Sequence, residues 1–219
     1  MNIIEALTNP ETFFKKLSQK DISLKEPFLI VLIFSILISI SAYISTSFSF
    51  IYKIFPPQYQ QVLAFTKIIT LISAFIGGIV SWLIIAGVMH LISIIFKGEG
   101  SFKKTLSFTG YGFLPNIIGA IITIPIAYYY LSQIHIPQLT ISQLQNPVII
   151  KMIMKQIFPK TLIYTNAVIG FAVTIWNLYI WTYAINYARN LDLKKAFITA
   201  LIPTVIFGLY QLYNVLKFL

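Results

Sequence analysis

The sequence predicts an all-α fold: a polytopic membrane bundle of five transmembrane helices, with interfacial helices near the N-terminus and in an outer loop. Three observations lead there. Hydrophobic residues make up 58% of the chain and charged residues 10%, whereas soluble domains carry about 25% charge. Mean hydropathy is +0.82. Uncharged stretches run from Pro27 to Tyr52, from Ile68 to Phe96, from Thr105 up to Lys151 (with breaks) and from Thr161 to Ala188. Each exceeds the roughly 20 residues that cross a bilayer core, and a soluble core helix would be shorter and show a polar face. The spans read as roughly 27–50, 67–96, 105–131, 161–188 and 196–217.

Residues 1–26 read as a cytoplasmic amphipathic segment and 27–219 as the transmembrane domain. The first 26 residues carry charges of both signs and no continuous apolar run, unlike a cleavable signal peptide. Within them, "NPETFFKKLSQK" has Asn9 as N-cap and Pro10 at the first helical position, a well-formed helix start. Phe13, Phe14 and Leu17 share one flank while Lys15, Lys16 and Lys20 spread around the other. That is the pattern of a helix lying on a membrane.

The second span is longer than the bilayer needs, so it tilts or projects. Its Ser73, Gly77 and Ser81, at intervals of four, allow close helix approach within the monomer or in a dimer. His90 is an ionisable residue in a span and hence a candidate by default, although it lies only two turns from Lys97 near the inner boundary.

The third span opens with "KGEGSFKKTLSFTGYGFLPN". Ser101 suits the N-cap. Lys103 and Lys104 then fall in the first turn, where the helix dipole opposes cations by about 0.3–1 kcal/mol each. The same turn offers unpaired N–H groups suited to a phosphate. Further along, Pro115 removes the hydrogen bond to the Tyr111 carbonyl. A neighbour must satisfy that group, and Asn116 is adjacent. Gly110, Tyr111, Pro115 and Asn116 therefore mark a kink, either fixed or hinged.

In the outer loop, "NPVIIKMIMKQIFPK" repeats the Asn-Pro start at Asn146 and Pro147. Lys151 and Lys155 form its polar stripe and Pro159 ends it. Too short to span, it lies on the outer surface or packs against the bundle as a connector. The fourth span carries Asn166, Asn177 and Asn186 among tryptophans and tyrosines. These asparagines either bond across helices, at about 0.6 kcal/mol per contact, or line a polar cavity.

The fifth span repeats the third. "ARNLDLKKAFITALIP" gives Asp192 as N-cap, Lys194 and Lys195 in the first turn, and Pro203 freeing the Thr199 carbonyl. The repeat is loose and parallel, related by an axis along the membrane normal. Lys103, Lys104, Lys194 and Lys195 are thus candidates to hold anionic lipid headgroups, each surface lysine gaining about 1 kcal/mol there. The alternative is that they only fix topology.

Orientation follows from counting basic residues. With the N-terminus inside, ten fall on the inner side and six (Lys53, Lys67, Lys151, Lys155, Lys160, Lys217) on the outer. All six acids also fall on the inner side, but the rule largely ignores acids. The expected topology has a cytoplasmic N-terminus and an outer C-terminus.

Catalytic chemistry is not indicated. The chain has no cysteine, which excludes disulfides, thiolate metal sites and thiol catalysis. His90 and His135 lie in different regions without a carboxylate nearby, whereas a zinc site needs three or four ligands. No phosphate loop, nucleophile motif or nucleotide fingerprint occurs. No catalytic, metal or cofactor-binding residue is assigned, and no cofactor is expected. The net charge of +10 borders membrane spans, so it points to a lipid surface rather than nucleic acid. The Ile- and Lys-rich composition suits a thermophilic prokaryote.

Three stretches carry a resemblance: "NPETFFKKL" before the first span, "GSFKKTLSFTGYGFLP", and the ending "W…YAINYARNLDLKKAF…IP". Together they resemble the Yip-domain family, five-span membrane proteins named for eukaryotic members that interact with Rab/Ypt GTPases. The Gly-Tyr-x-x-x-Pro element, here Gly110, Tyr111 and Pro115, matches best. Eukaryotic members carry a long cytosolic N-terminal region and an acidic Asp-Leu-x-Gly-Pro-like element. Here 26 residues precede the first span and the equivalent place reads "LKEPF", so Rab binding does not carry over. The resemblance implies a prokaryotic-type member with the family fold, a cytoplasmic N-terminus and a role in membrane organisation. The expected function is non-enzymatic, organising lipid or partner proteins, with a homo-oligomer open. A small-solute transporter or channel is the alternative.

Overall fold

The structure is a computed structural model that describes residues 3–48, 60–134, 145–149 and 160–218. Two short helices lead the chain, α1 (Ile3–Thr8) and α2 (Pro10–Ser18). Span-length helices follow: α3 (Lys25–Ser47) and α4 (Gln60–Ile95). The third span divides into α5 (Phe102–Gly110), a 3-10 turn (Tyr111–Phe113) and α6 (Leu114–Ser132). The last two are α7 (Lys160–Arg189) and α8 (Leu193–Phe218). Among the described residues, five segments are long and apolar enough to cross a membrane; their described ends lie within about three residues of the expected spans, except that the second begins at residue 60 rather than 67. The outer-loop helix expected over 146–159 lies outside the described residues beyond residue 149, as does His135. Asn146 does accept from the Val148 and Ile149 amides at 3.0 and 3.4 Å, as an N-cap should.

The spans close a ring. α3 packs on α4 and α6, α6 on α7, α7 on α8, and α8 back on α4. At 36 residues, α4 rises about 54 Å, against about 30 Å for a hydrocarbon core. Phe28 at the start of α3 meets the Trp82 ring at 6.4 Å, thirteen residues before α4 ends. α4 therefore continues about 15 Å past the start of α3. At this end α5 packs on α4, while α2, with α1 against it, fills the space beside α7.

The filling changes the reading of the N-terminal helix. Asn9 caps it as expected, its side chain accepting from the Thr12 amide at 3.2 Å. Yet Phe13, Phe14 and Leu17 are buried in the main core cluster, with Phe13 4.9 Å from the Tyr111 ring and Phe14 5.5 Å from Phe108. Its apolar flank meets protein rather than lipid. An amphipathic pattern specifies that a face is buried, not what covers it.

Of the two uses expected of the small-residue stripe, the contact within the monomer is not made by its first two residues. Ser73 and Gly77 are exposed, and a Cβ on Gly77 would meet nothing within 4 Å. The close approach of α4 to α3 runs one residue over, at buried Gly78, where a Cβ would stand 2.3 Å from Ser35 Oγ.

The break in the third span has a clear cause. Pro115 falls at the N-terminal end of α6, where a missing N–H costs least. The Tyr111 carbonyl it cannot reach accepts instead from the Leu114 amide in the 3-10 turn. Two indoles complete the break: Trp82 Nε1 donates to the Leu106 carbonyl and Trp181 Nε1 to the Thr109 carbonyl, both at 3.0 Å. Tyr111 is buried among Phe13 and Phe14 and donates to Glu26 Oε2 at 2.8 Å. The glycines beside it have no room for a side chain. A Cβ on Gly110 would lie 2.5 Å from Pro27, and one on Gly112 only 1.9 Å from Trp181 Nε1. In α8, Pro203 is buried inside a continuous helix.

Candidate functional site

The two basal loops are built alike. Lys97, just past α4, has φ 62° and Asn190, just past α7, has φ 50°, the left-handed cap of many helix ends. Gly98 N–H returns to the Ser93 carbonyl at 2.8 Å, and Leu191 N–H to the Asn186 carbonyl at 3.2 Å. Ser101 then accepts from the Lys104 amide at 3.3 Å, and Asp192 from the Lys195 amide at 3.0 Å. Both expected N-caps are in place, and the same caps take amides that a phosphate would otherwise use.

A residue that the sequence reading counted only as a charge joins the loops. Arg189 is 2% exposed. Its Nε donates to Ser93 Oγ at 2.7 Å, one terminal nitrogen to the Gly98 carbonyl at 2.6 Å, and the other to the Gly100 carbonyl. Glu99 N–H returns to the Arg189 carbonyl at 2.8 Å. The planar fork of arginine suits several fixed acceptors. The available signal was that Arg189 is the chain's one arginine among sixteen basic residues.

This clamp brings both lysine pairs to one end of the bundle. Lys103, Lys194 and Lys195 are exposed. Lys104 is half-buried, its ammonium 5.6 Å above the Phe108 ring. Lys195 pairs with Asp192 at 2.9 Å, and the Asp192 carboxyl is held below its ordinary value by the Lys195 backbone N–H and then by the ammonium. The pair at α8 is thus partly neutralised within the chain. Around the lysines, Ile94, Ile95, Phe102, Leu193 and Phe197 expose apolar side chains, Ile95 by 77%.

The intramembrane polar residues serve several ends. His90 Nδ1 lies 3.0 Å from Thr105 Oγ1, with its ring edge-on to Phe102, which ties α4 to α5. Asn186 Nδ2 donates to the Leu191 carbonyl at 2.5 Å and braces a basal turn. Asn116 does not take the Tyr111 carbonyl. It lines a cavity of about 260 Å³ inside the ring, together with Asn166 and Gln211. A neighbouring cavity of about 80 Å³ is lined from all five spans and includes Asn116, Asn177 and Gln211. An interhelical bond in this region comes from Gln211, a residue that no sequence motif marks: Nε2 donates to Thr174 Oγ1 at 3.0 Å. Among the described residues, no group of His, Asp and Glu is arranged to hold a metal ion.

Comparison with known proteins agrees with this architecture. A protein of Methanocaldococcus jannaschii described as uncharacterized is 89% identical over 129 residues, covering 59% of this chain and 90% of the relative. No solved structure matches the chain. A family model, the Yip1 domain, matches residues 4–214. That span takes in α1 and α2 together with the five-helix ring and its broken third span, and the chain belongs to the Yip1-domain family of multi-pass membrane proteins.

Proposed function

We propose that this protein organises membrane lipid without catalysing a reaction, by holding anionic headgroups at its basal rim through Lys103, Lys104, Lys194 and Lys195. One observation carries the reading: two lysine-bearing loops are clamped together beside a girdle of exposed apolar side chains. Lysines next to lipid-facing Ile95, Phe102 and Phe197 sit at headgroup depth, where long side chains reach the interface. Lys103 and Lys104 dominate the site, because Asp192 offsets Lys195. The rim faces the cytoplasm, and such a rim also suits a protein partner or a second copy held at the same lipid surface.

Converting all four lysines to glutamine should weaken retention of phosphatidylglycerol in native mass spectrometry while the fold persists. At about 1 kcal/mol per lysine, loss of even two contacts weakens binding more than tenfold. The wild-type advantage should shrink as salt rises, since exposed charges are screened beyond about 8 Å at physiological ionic strength. A quadruple variant that keeps its lipid but inserts in mixed orientation would assign the lysines to topology alone.

Orientation has its own test. The chain has no cysteine, so Ser101→Cys gives a single thiol at the basal loop. It should resist a membrane-impermeant maleimide in intact cells and react after lysis. Labelling from outside would reverse the topology.

A further inference from the structure

Among the described residues, three buried side-chain oxygens lack a partner, and two of them, Asn177 Oδ1 and Gln211 Oε1, face one cavity inside the ring. Asn177 is 6% exposed, and both residues line the cavity of about 80 Å³. An unmet buried acceptor costs about 1–3 kcal/mol, so two in one cavity mark a place for a donor. The neighbouring hydroxyls cannot be that donor. Thr174 and Thr204 commit their hydrogens to the Gly170 and Ala200 carbonyls, each at 2.8 Å, which leaves them lone pairs to offer. Two adjoining open clefts of about 260 and 340 Å³ share Gln211, Gly170 and Asn166, the larger lying between α7 and α8. Asn166 and Ser45 are exposed at the end away from the basal loops. Towards the basal core stand Phe34, Phe113 and Trp181, with ring centroids 5.2 and 6.0 Å apart in succession.

We propose that this connected cavity binds a neutral, hydroxyl-rich group: a polyol, arriving as a free small molecule or as the head of an uncharged glycolipid. The unmet acceptors require donors, and they turn away phosphate or carboxylate, which would bring lone pairs against lone pairs. None of the described lining residues carries a formal charge, so an ion would enter at membrane depth without a counter-charge. Side-chain amides at Asn116 and Asn166 both donate and accept, as hydroxyls do. The aromatic walls suit the C–H faces between hydroxyls. The open cleft of about 260 Å³ that adjoins the acceptors through Gln211 and Asn116 equals roughly nine waters at about 30 Å³ each, which is room for a sugar-sized group to extend from them. This site is separate from the basal lysines and does not depend on their role.

The test compares wild type with Asn177→Leu/Gln211→Leu in two arms. The lipid arm offers an equimolar mixture of monogalactosyl diacylglycerol and phosphatidylglycerol and reads retention by native mass spectrometry. The free arm measures tritiated galactose by scintillation proximity. Wild type should bind in at least one arm, and the arm identifies the source. The double variant should bind about tenfold less or weaker still, as expected for two lost hydrogen bonds of about 1 kcal/mol each, while its phosphatidylglycerol retention is unchanged. The four-lysine variant should show the reverse. If the leucine variants fail to fold, Thr174→Val unties Gln211 at nearly constant volume and must also lower binding. Equal binding by wild type and a folded variant in both arms, or parallel loss of phosphatidylglycerol, would overturn the proposal and leave a cavity that holds only water.

Discussion

An Arg189→Met variant is expected to lose about 3–5 kcal/mol of stability, because it leaves buried neutral acceptors unmet at about 1–3 kcal/mol each. Arg189 is the single donor group that reaches Ser93, Gly98 and Gly100 together. Methionine fills much of the same volume but leaves those acceptors buried with fewer partners. Hydrogen bonds to charged groups contribute about 1.5–3 kcal/mol each, and the shared geometry keeps the total below their sum. Arg189→Lys should fall between, because an ammonium lacks the planar fork. The measurement is thermal unfolding in detergent followed by size-exclusion chromatography. A folded Arg189→Met protein within about 1 kcal/mol of wild type would mean that the loop backbone holds itself without the clamp.

Gly112→Ala should cost about 2–4 kcal/mol. The new Cβ would stand 1.9 Å from Trp181 Nε1, so the indole must move and release the Thr109 carbonyl. Overpacking of this kind costs about 1–3 kcal/mol, and the lost hydrogen bond adds about 1. Trp181→Phe relieves the clash while giving up the same bond. The Gly112→Ala/Trp181→Phe pair should therefore lose less than the sum of the singles, the sign of direct coupling. Gly77→Ala is the control: with nothing within 4 Å of its Cβ, it should be neutral or gain up to about 1 kcal/mol from reduced backbone freedom. Equal effects at Gly77 and Gly112 would show that the Trp181 contact does not set the loss.

What the sequence determined by itself is local. The spans were legible because about 20 uncharged apolar residues have few stable places other than a bilayer. The caps at Asn9, Ser101 and Asp192 were legible because each side chain bonds amides three residues on. The kink at Pro115 was legible because a proline lacks an N–H wherever it stands. Tertiary structure decided the rest, and for one reason: lipid tails and protein interiors are alike in being apolar. The flank of Phe13, Phe14 and Leu17 suits either, and only the packing of α2 on α7 and on Phe108 and Tyr111 of the broken third span turns it towards protein. Ser73 and Gly77 have the spacing of a contact face, yet the rotation of α4 presents Gly78 to Ser35 instead. Arg189 reads as one more basic residue until two loops close on it. Gln211 gains its role only when α8 brings it beside Thr174 and Asn177 of α7. Whether a polar side chain in a span braces a helix or lines a cavity depends on which neighbours leave it unpaired, and that is a property of all five helices at once.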